Sequence, residues 1–155
     1  MRPDLETARP AFESMGSRIV HVGGQGMGTS LKIIFNHMLA VSLEAFAEGM
    51  VLGQALGLSE EMLFDVLLTA PVTAPTLARK REKMASGDYS DTEFPLELMQ
   101  KDLQMTATAA YEVGVAMPVA NAAKEVYQLA NRAGWSRADM SAIYQFLKDR
   151  SGDGA

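Results

Sequence analysis

Residues 27–56 read MGTSLKIIFNHMLAVSLEAFAEGMVLGQAL, and this stretch decides the fold. No proline interrupts it, and Leu31, Ile33, Ile34, Phe35, Met38, Leu39, Val41 and Leu43 cover every side of a helix over its first half. Phe46, Met50, Val51 and Leu52 continue the pattern. The reading is one long central helix, buried by its neighbours, with Gly57 just past its C-terminus.

Toward the C-terminus the signals are helical. Ser59 is a natural N-cap for a helix with Glu60 and Glu61 in its first turn, running to about Thr69. Pro71 and Pro75 mark a break, and residues 75–86 read as a cationic amphipathic helix followed by a polar loop over 87–93. Pro95 and Pro118 suit the first turns of two more helices, one reaching Gly114 and the other ending near Gly134. Ser136 with Asp139 resembles a capping box for a last helix to Lys148, and 151–155 is expected to be a disordered tail. Toward the N-terminus, residues 4–15 predict a helix shortened or broken at Pro10, and Arg18–Val22 is a brief β-branched run that predicts a strand. A lone strand lacks partners for its backbone groups, so this beginning looks cut from a sheet that the chain does not contain. The expected fold class is all-α: a helical bundle around one long central helix, preceded by a short helix-strand remnant. The expected organisation is 1–23 as that remnant, 24–150 as the helical domain and 151–155 as the tail.

With 155 residues and a net charge of −5, the chain is long enough for one core and lacks the basic stripe of a nucleic-acid surface. An anionic membrane surface is disfavoured for the same reason, and the apolar stretches are read as broken by charge before they could span a bilayer. There is no cysteine, so disulfides and thiolate chemistry are excluded, which suits a reducing cytoplasm. Met1 is followed by Arg2-Pro3-Asp4 and not by an apolar segment, so no signal peptide is read. His21 and His37 are too isolated for a metal-ligand pattern, and no metal is expected.

Residues 23–28, GGQGMG, lie where a dinucleotide loop would be expected, between a strand and a helix. The G-x-G-x-x-G spacing fails at Thr29, however, and no second strand follows, so the cluster reads as a joint. Lys32 is the only permanent charge from Met27 to Leu43 and is flanked by apolar residues. On a buried helix such an amine either snorkels to an edge or faces a cavity, where desolvation would lower its pKa and fit it to exchange a proton near neutral pH. Asn36 is one turn later and can project the same way. Lys101 and Asp102 interrupt a second apolar helix as either a surface ion pair or part of a site, and Phe94 is either core or an aromatic wall. Glu44 and Glu48 read as an i,i+4 pair on a solvated stripe, and the eleven methionines as adaptable core filling.

Taken in order, these motifs resemble the β-hydroxyacid dehydrogenases, the family of 3-hydroxyisobutyrate dehydrogenase and tartronate semialdehyde reductase. Gly26-x-Gly28 followed by Lys32-x-x-x-Asn36 is similar to the family's glycine joint and K-x-x-x-N helix. Phe94 with Lys101-Asp102-Leu103 is similar to its later phenylalanine and K-D-L, and Gly134 with Asp139-x-Ser141-Ala142 to its closing G-x-x-x-x-D-x-S-A. Residues 10–22 resemble the end of the family's Rossmann domain.

The resemblance implies hydride transfer between NAD or NADP and a small 3-hydroxy acid. Lys32 would be the catalytic acid/base and Asn36 the substrate-binding residue, with Lys101, Phe94 and Asp102 on the cofactor side. Phe35 stands where the phosphogluconate dehydrogenases place histidine, and Lys32 separates the chain from most imine reductases. The family's N-terminal nucleotide fingerprint and its S-G-G substrate motif have no counterpart. The chain therefore reads as a piece of a longer product, inactive alone, whose partners would be the hydroxy acid, the missing nucleotide-binding domain that holds most of the cofactor, and further copies in a homo-oligomer. The alternative from another class is a non-enzymatic helical oligomerisation or interaction domain.

Overall fold

The computed structural model describes residues 3–151, and the tail expected over 151–155 lies outside them except for Ser151, which ends a helix. The chain divides into two compact units, one through Lys32 and one from Ile33. The first carries α1 (Pro3–Met15), which continues through Pro10 where a break was expected. After it the chain is irregular to residue 26, and Gly23 and Gly26 adopt φ of 137° and 90°, which the joint requires. Arg18–Val22 forms no strand, a correction with a simple cause: no second segment offers a ladder among the described residues.

Helix α2 (Met27–Ala55) runs unbroken into the second unit. By length and composition it could cross a bilayer, contrary to the reading that charge interrupts it, but its second half packs as protein core. Ala40, Leu43, Ala47 and Met50 are fully buried at helical spacing. Its earlier turns are not covered: Ile34, Phe35 and Met38 are 52%, 67% and 63% exposed, and the later turns are buried on one side only, with Glu48 and Leu52 exposed, so the expectation of burial on every side is corrected.

The remaining elements close around that second half. Gly57 ends α2, and the Ser59 hydroxyl accepts from the Met62 amide to cap α3 (Glu60–Leu67). A Cβ at Gly53 would stand 2.7 Å from a Leu63 methyl, so glycine sets how closely α2 and α3 approach. Phe64 stacks on Phe46 and meets Tyr144 edge-on, with centroids 6.3 and 6.0 Å apart. The cationic segment expected as one helix is a 3-10 turn (Pro75–Lys80) that passes into α4 (Arg81–Ser86), with Lys80 buried at the junction. Helices α5 (Leu96–Glu112) and α6 (Pro118–Ala130) pack along each other. A π-helical turn (Asn131–Trp135) and a short 3-10 turn (Met140–Ala142) lead to α7 (Ile143–Ser151). Ser136 caps nothing here, since its hydroxyl donates back to the Asn131 carbonyl at 3.2 Å. Asp139 holds the cap position instead, accepting from the Ser141 amide at 3.1 Å.

Candidate functional site

Two motifs far apart in sequence meet in the second unit. The Asn36 amide donates to Asp102 Oδ2 at 2.5 Å, linking α2 to α5. Asp102 is 3% exposed because Met99, Leu103 and Thr106 of the same helix face are buried around it. Its second oxygen, Oδ1, faces Lys101 Nζ at 3.1 Å, whose side chain is 55% exposed. The pair is therefore half core and half surface: a buried carboxylate with one neutral and one cationic donor, the cation reaching out to solvent. Thr106 anchors the helix locally by donating to the Asp102 carbonyl at 3.0 Å.

The second cluster was not anticipated. Asp139 is wholly buried, and its Oδ2 takes Lys80 Nζ at 2.8 Å and the Glu93 amide at 3.1 Å, with the Phe94 amide at 3.5 Å. Its Oδ1 accepts from the Ser141 hydroxyl at 2.7 Å. Burial pushes this carboxyl up, and the Lys80 ammonium with the Ser141 hydroxyl and amide outweighs it, holding the group below the usual carboxylate range. Lys80 also pairs with Glu93 at 3.2 Å. The effect is to fix the backbone at residues 93 and 94, and with it the position of Phe94 just ahead of α5.

Between these clusters opens a cavity of about 160 Å³. Asn36, Phe94, Arg79, Lys80, Glu93 and Met140 are among the residues that line it. With Lys80 already held by Asp139 and Glu93, the lining offers an aromatic face, an amide and the Arg79 guanidinium, which suit the end of a planar polar group such as a nicotinamide. The volume takes one end of such a molecule and not its full length.

The family model described as NAD-binding of NADP-dependent 3-hydroxyisobutyrate dehydrogenase matches residues 26–147. The chain belongs to this family.

Among its relatives in the 3-hydroxyisobutyrate dehydrogenase family, glyoxylate/succinic semialdehyde reductase 1 of Arabidopsis thaliana is 35% identical over 93% of this chain and 50% of its own length. The 3-sulfolactaldehyde reductase of Escherichia coli is 36% identical over 96% of this chain and 50% of its own length. A Mycobacterium tuberculosis 3-hydroxyisobutyrate dehydrogenase structure with L-serine superposes at a TM-score of 0.79 with 32% identity, covering 93% of this chain and 51% of that one. The chain thus spans about half the length of the curated relatives it matches. The family is one that uses NAD(P), and the helical fold expected from the sequence is that of the family's helical half.

Of the five residues singled out by sequence, Asn36, Phe94, Lys101 and Asp102 lie in the second unit, and Lys32 closes the first. Asn36, Lys101 and Asp102 are brought together, while Phe94 lines the cavity with Asn36, and Lys101 and Asp102 are not among its lining. Lys32 is exposed, and its neighbours Leu31 and Phe35 are exposed with it, so the amine is not enclosed in an apolar core. Lys80 was missed because a lysine in a cationic segment carries no mark of burial. The signal that could have found it is the D-x-S-A motif, whose buried aspartate needs a cation.

Proposed function

We propose that this chain is the substrate-side half of an enzyme that moves a hydride between NAD(P) and the carbinol carbon of a small 3-hydroxy acid. The observation that carries the reading is the Asn36–Asp102 hydrogen bond, which joins the K-x-x-x-N helix to the K-D-L helix across 66 residues. A paired carboxylate and carboxamide held this firmly position a donor for a substrate oxygen without reorganisation. Hydride chemistry is supplied by the nicotinamide when bound. Lys32 exchanges the proton of the substrate hydroxyl, a role that rests on its place in the K-x-x-x-N pattern and not on enclosure. Asn36 orients the substrate, Phe94 forms the wall beside the nicotinamide, and Lys101 with Asp102 holds the cofactor side. Residues 1–23 belong in this reading to a nucleotide-binding domain that supplies the rest of the cofactor site.

Joined to a matching nucleotide domain, the protein is expected to oxidise a small 3-hydroxy acid with NAD(P). Lys32→Ala should lower kcat by roughly 10²–10⁴-fold, with unchanged circular dichroism. Full activity in that variant overturns the assignment of Lys32.

One observation favours a second role alongside the first. Ile34, Phe35 and Met38 form an uncovered apolar row on α2, the kind of surface that a protein contact covers. A homo-oligomer seated on that row, as sedimentation would detect, is the interaction-domain reading in its simplest form.

A further inference from the structure

Away from the site just described, α2 and α6 enclose a second polar feature. Glu44 is 6% exposed, and its Oε2 is buried without a hydrogen-bond partner. The expectation that Glu44 lies on a solvated stripe is therefore wrong, and only Glu48 is exposed. Both carboxyls line a slot of about 110 Å³ whose walls are Val41 and Ala45 of α2 and Val119, Ala122 and Ala123 of α6.

A buried carboxyl oxygen with no donor costs free energy, and the large majority of such atoms in folded proteins are paired. Two carboxyls one turn apart repel each other when charged, which a shared cation would reverse. Among the described residues no cation pairs with them: Lys124, on the adjoining helix, pairs with Glu125 at 3.2 Å. Tyr127, also on α6, directs its hydroxyl to the Ala40 carbonyl at 3.5 Å. The slot is lined by alanine and valine, so its walls are apolar and its polar end is acidic. That is the complement of a lysine-type side chain, an alkyl stem with an ammonium tip.

We propose that the Glu44–Glu48 slot binds a primary alkylammonium group, its stem between α2 and α6 and its N–H donors on the two carboxylates. The group comes from a free amine or from a lysine of a second copy. The unpartnered state explains why burial, with Glu48 adding to it, pushes the Glu44 carboxyl up to about 8.

The experiment follows the Glu44 side-chain carboxyl by carbon-13 NMR during titration with n-butylammonium chloride. Saturable movement is expected, absent with tetramethylammonium or sodium at equal ionic strength. Glu48→Gln, a change at an exposed residue, should weaken binding roughly fivefold, the worth of one partly exposed ion pair. Ala122→Leu, which fills the slot from an exposed position, should abolish it.

Sedimentation velocity distinguishes the sources. Self-association that n-butylammonium dissolves identifies the lysine of a second copy, and a monomer that binds the amine identifies a free ligand. No saturable movement, equal movement with tetramethylammonium, or undiminished binding in Ala122→Leu overturns the proposal. So does a rise in the Glu44 pKa in Lys124→Ala, which would show that the chain's own lysine fills the slot.

Discussion

Asp139 and Glu44 are both carboxyls buried in the same helical unit, and they are displaced in opposite directions. Asp139 is fully enclosed yet held low, because Lys80 and Ser141 supply donors that outweigh its desolvation. Glu44 is slightly less enclosed yet pushed up to about 8, because desolvation acts on it with only the like charge of Glu48 nearby. Burial therefore sets the size of the problem, and the partners set its sign. Asp102 has one partner of each kind, a neutral donor inside and a cation at the surface.

The largest effect should come from breaking the satisfied member. Asp139→Ala leaves Lys80 enclosed with only the half-exposed Glu93 to pair it and strips the acceptor from Ser141 and the Glu93 amide, and is expected to cost roughly 3 kcal/mol in urea unfolding. Replacing Lys80 by methionine in the same protein should recover much of that loss, and a double variant no better than the single would break the comparison.

Next in size is the pH dependence. Glu44 titrates near 4.5 when unfolded and near 8 when folded, so the fold favours its protonated form. The advantage is complete below 4.5, declines as pH rises and is gone once pH passes about 8. Glu44→Gln removes that dependence. Between pH 4.5 and 8.5 it should gain roughly 2–4 kcal/mol relative to the unsubstituted chain, as parallel urea melts would record. Asp139 tilts the other way: its contribution is present above the unfolded value of 3.8 and is lost as pH falls through its lower folded value. An identical pH profile in Glu44→Gln would show that the carboxyl is already compensated. The smallest effect is expected beside Asp102, where Lys101→Ala removes a half-exposed cation and should change stability by no more than about 1 kcal/mol.

The sequence made the long elements legible because their signals are local. The proline-free apolar run of α2, the Ser59 cap and Pro118 at the start of α6 each state their structure within a few residues. The helix through Pro10 and the missing strand at Arg18–Val22 were misread, since a break and a ladder both depend on what surrounds the segment. In the site, Asn36 and Asp102 were found by residue type, but their hydrogen bond was not, because nothing in either helix states which face meets the other. Lys80 and Asp139 are 59 residues apart and make the same point more sharply. Glu44 and Glu48 form a pair by spacing alone, and only the position of α6 decides which of them leaves water.

The backbone amides of Glu93 and Phe94 end on a carboxylate supplied from near the C-terminus. During synthesis, the aromatic wall of the cavity has no fixed place until residue 139 has left the ribosome, however early α5 forms. Any nascent or clipped chain that stops short of that aspartate would carry a collapsed set of helices with a wandering Phe94, sensitive to protease at the loop over 87–93.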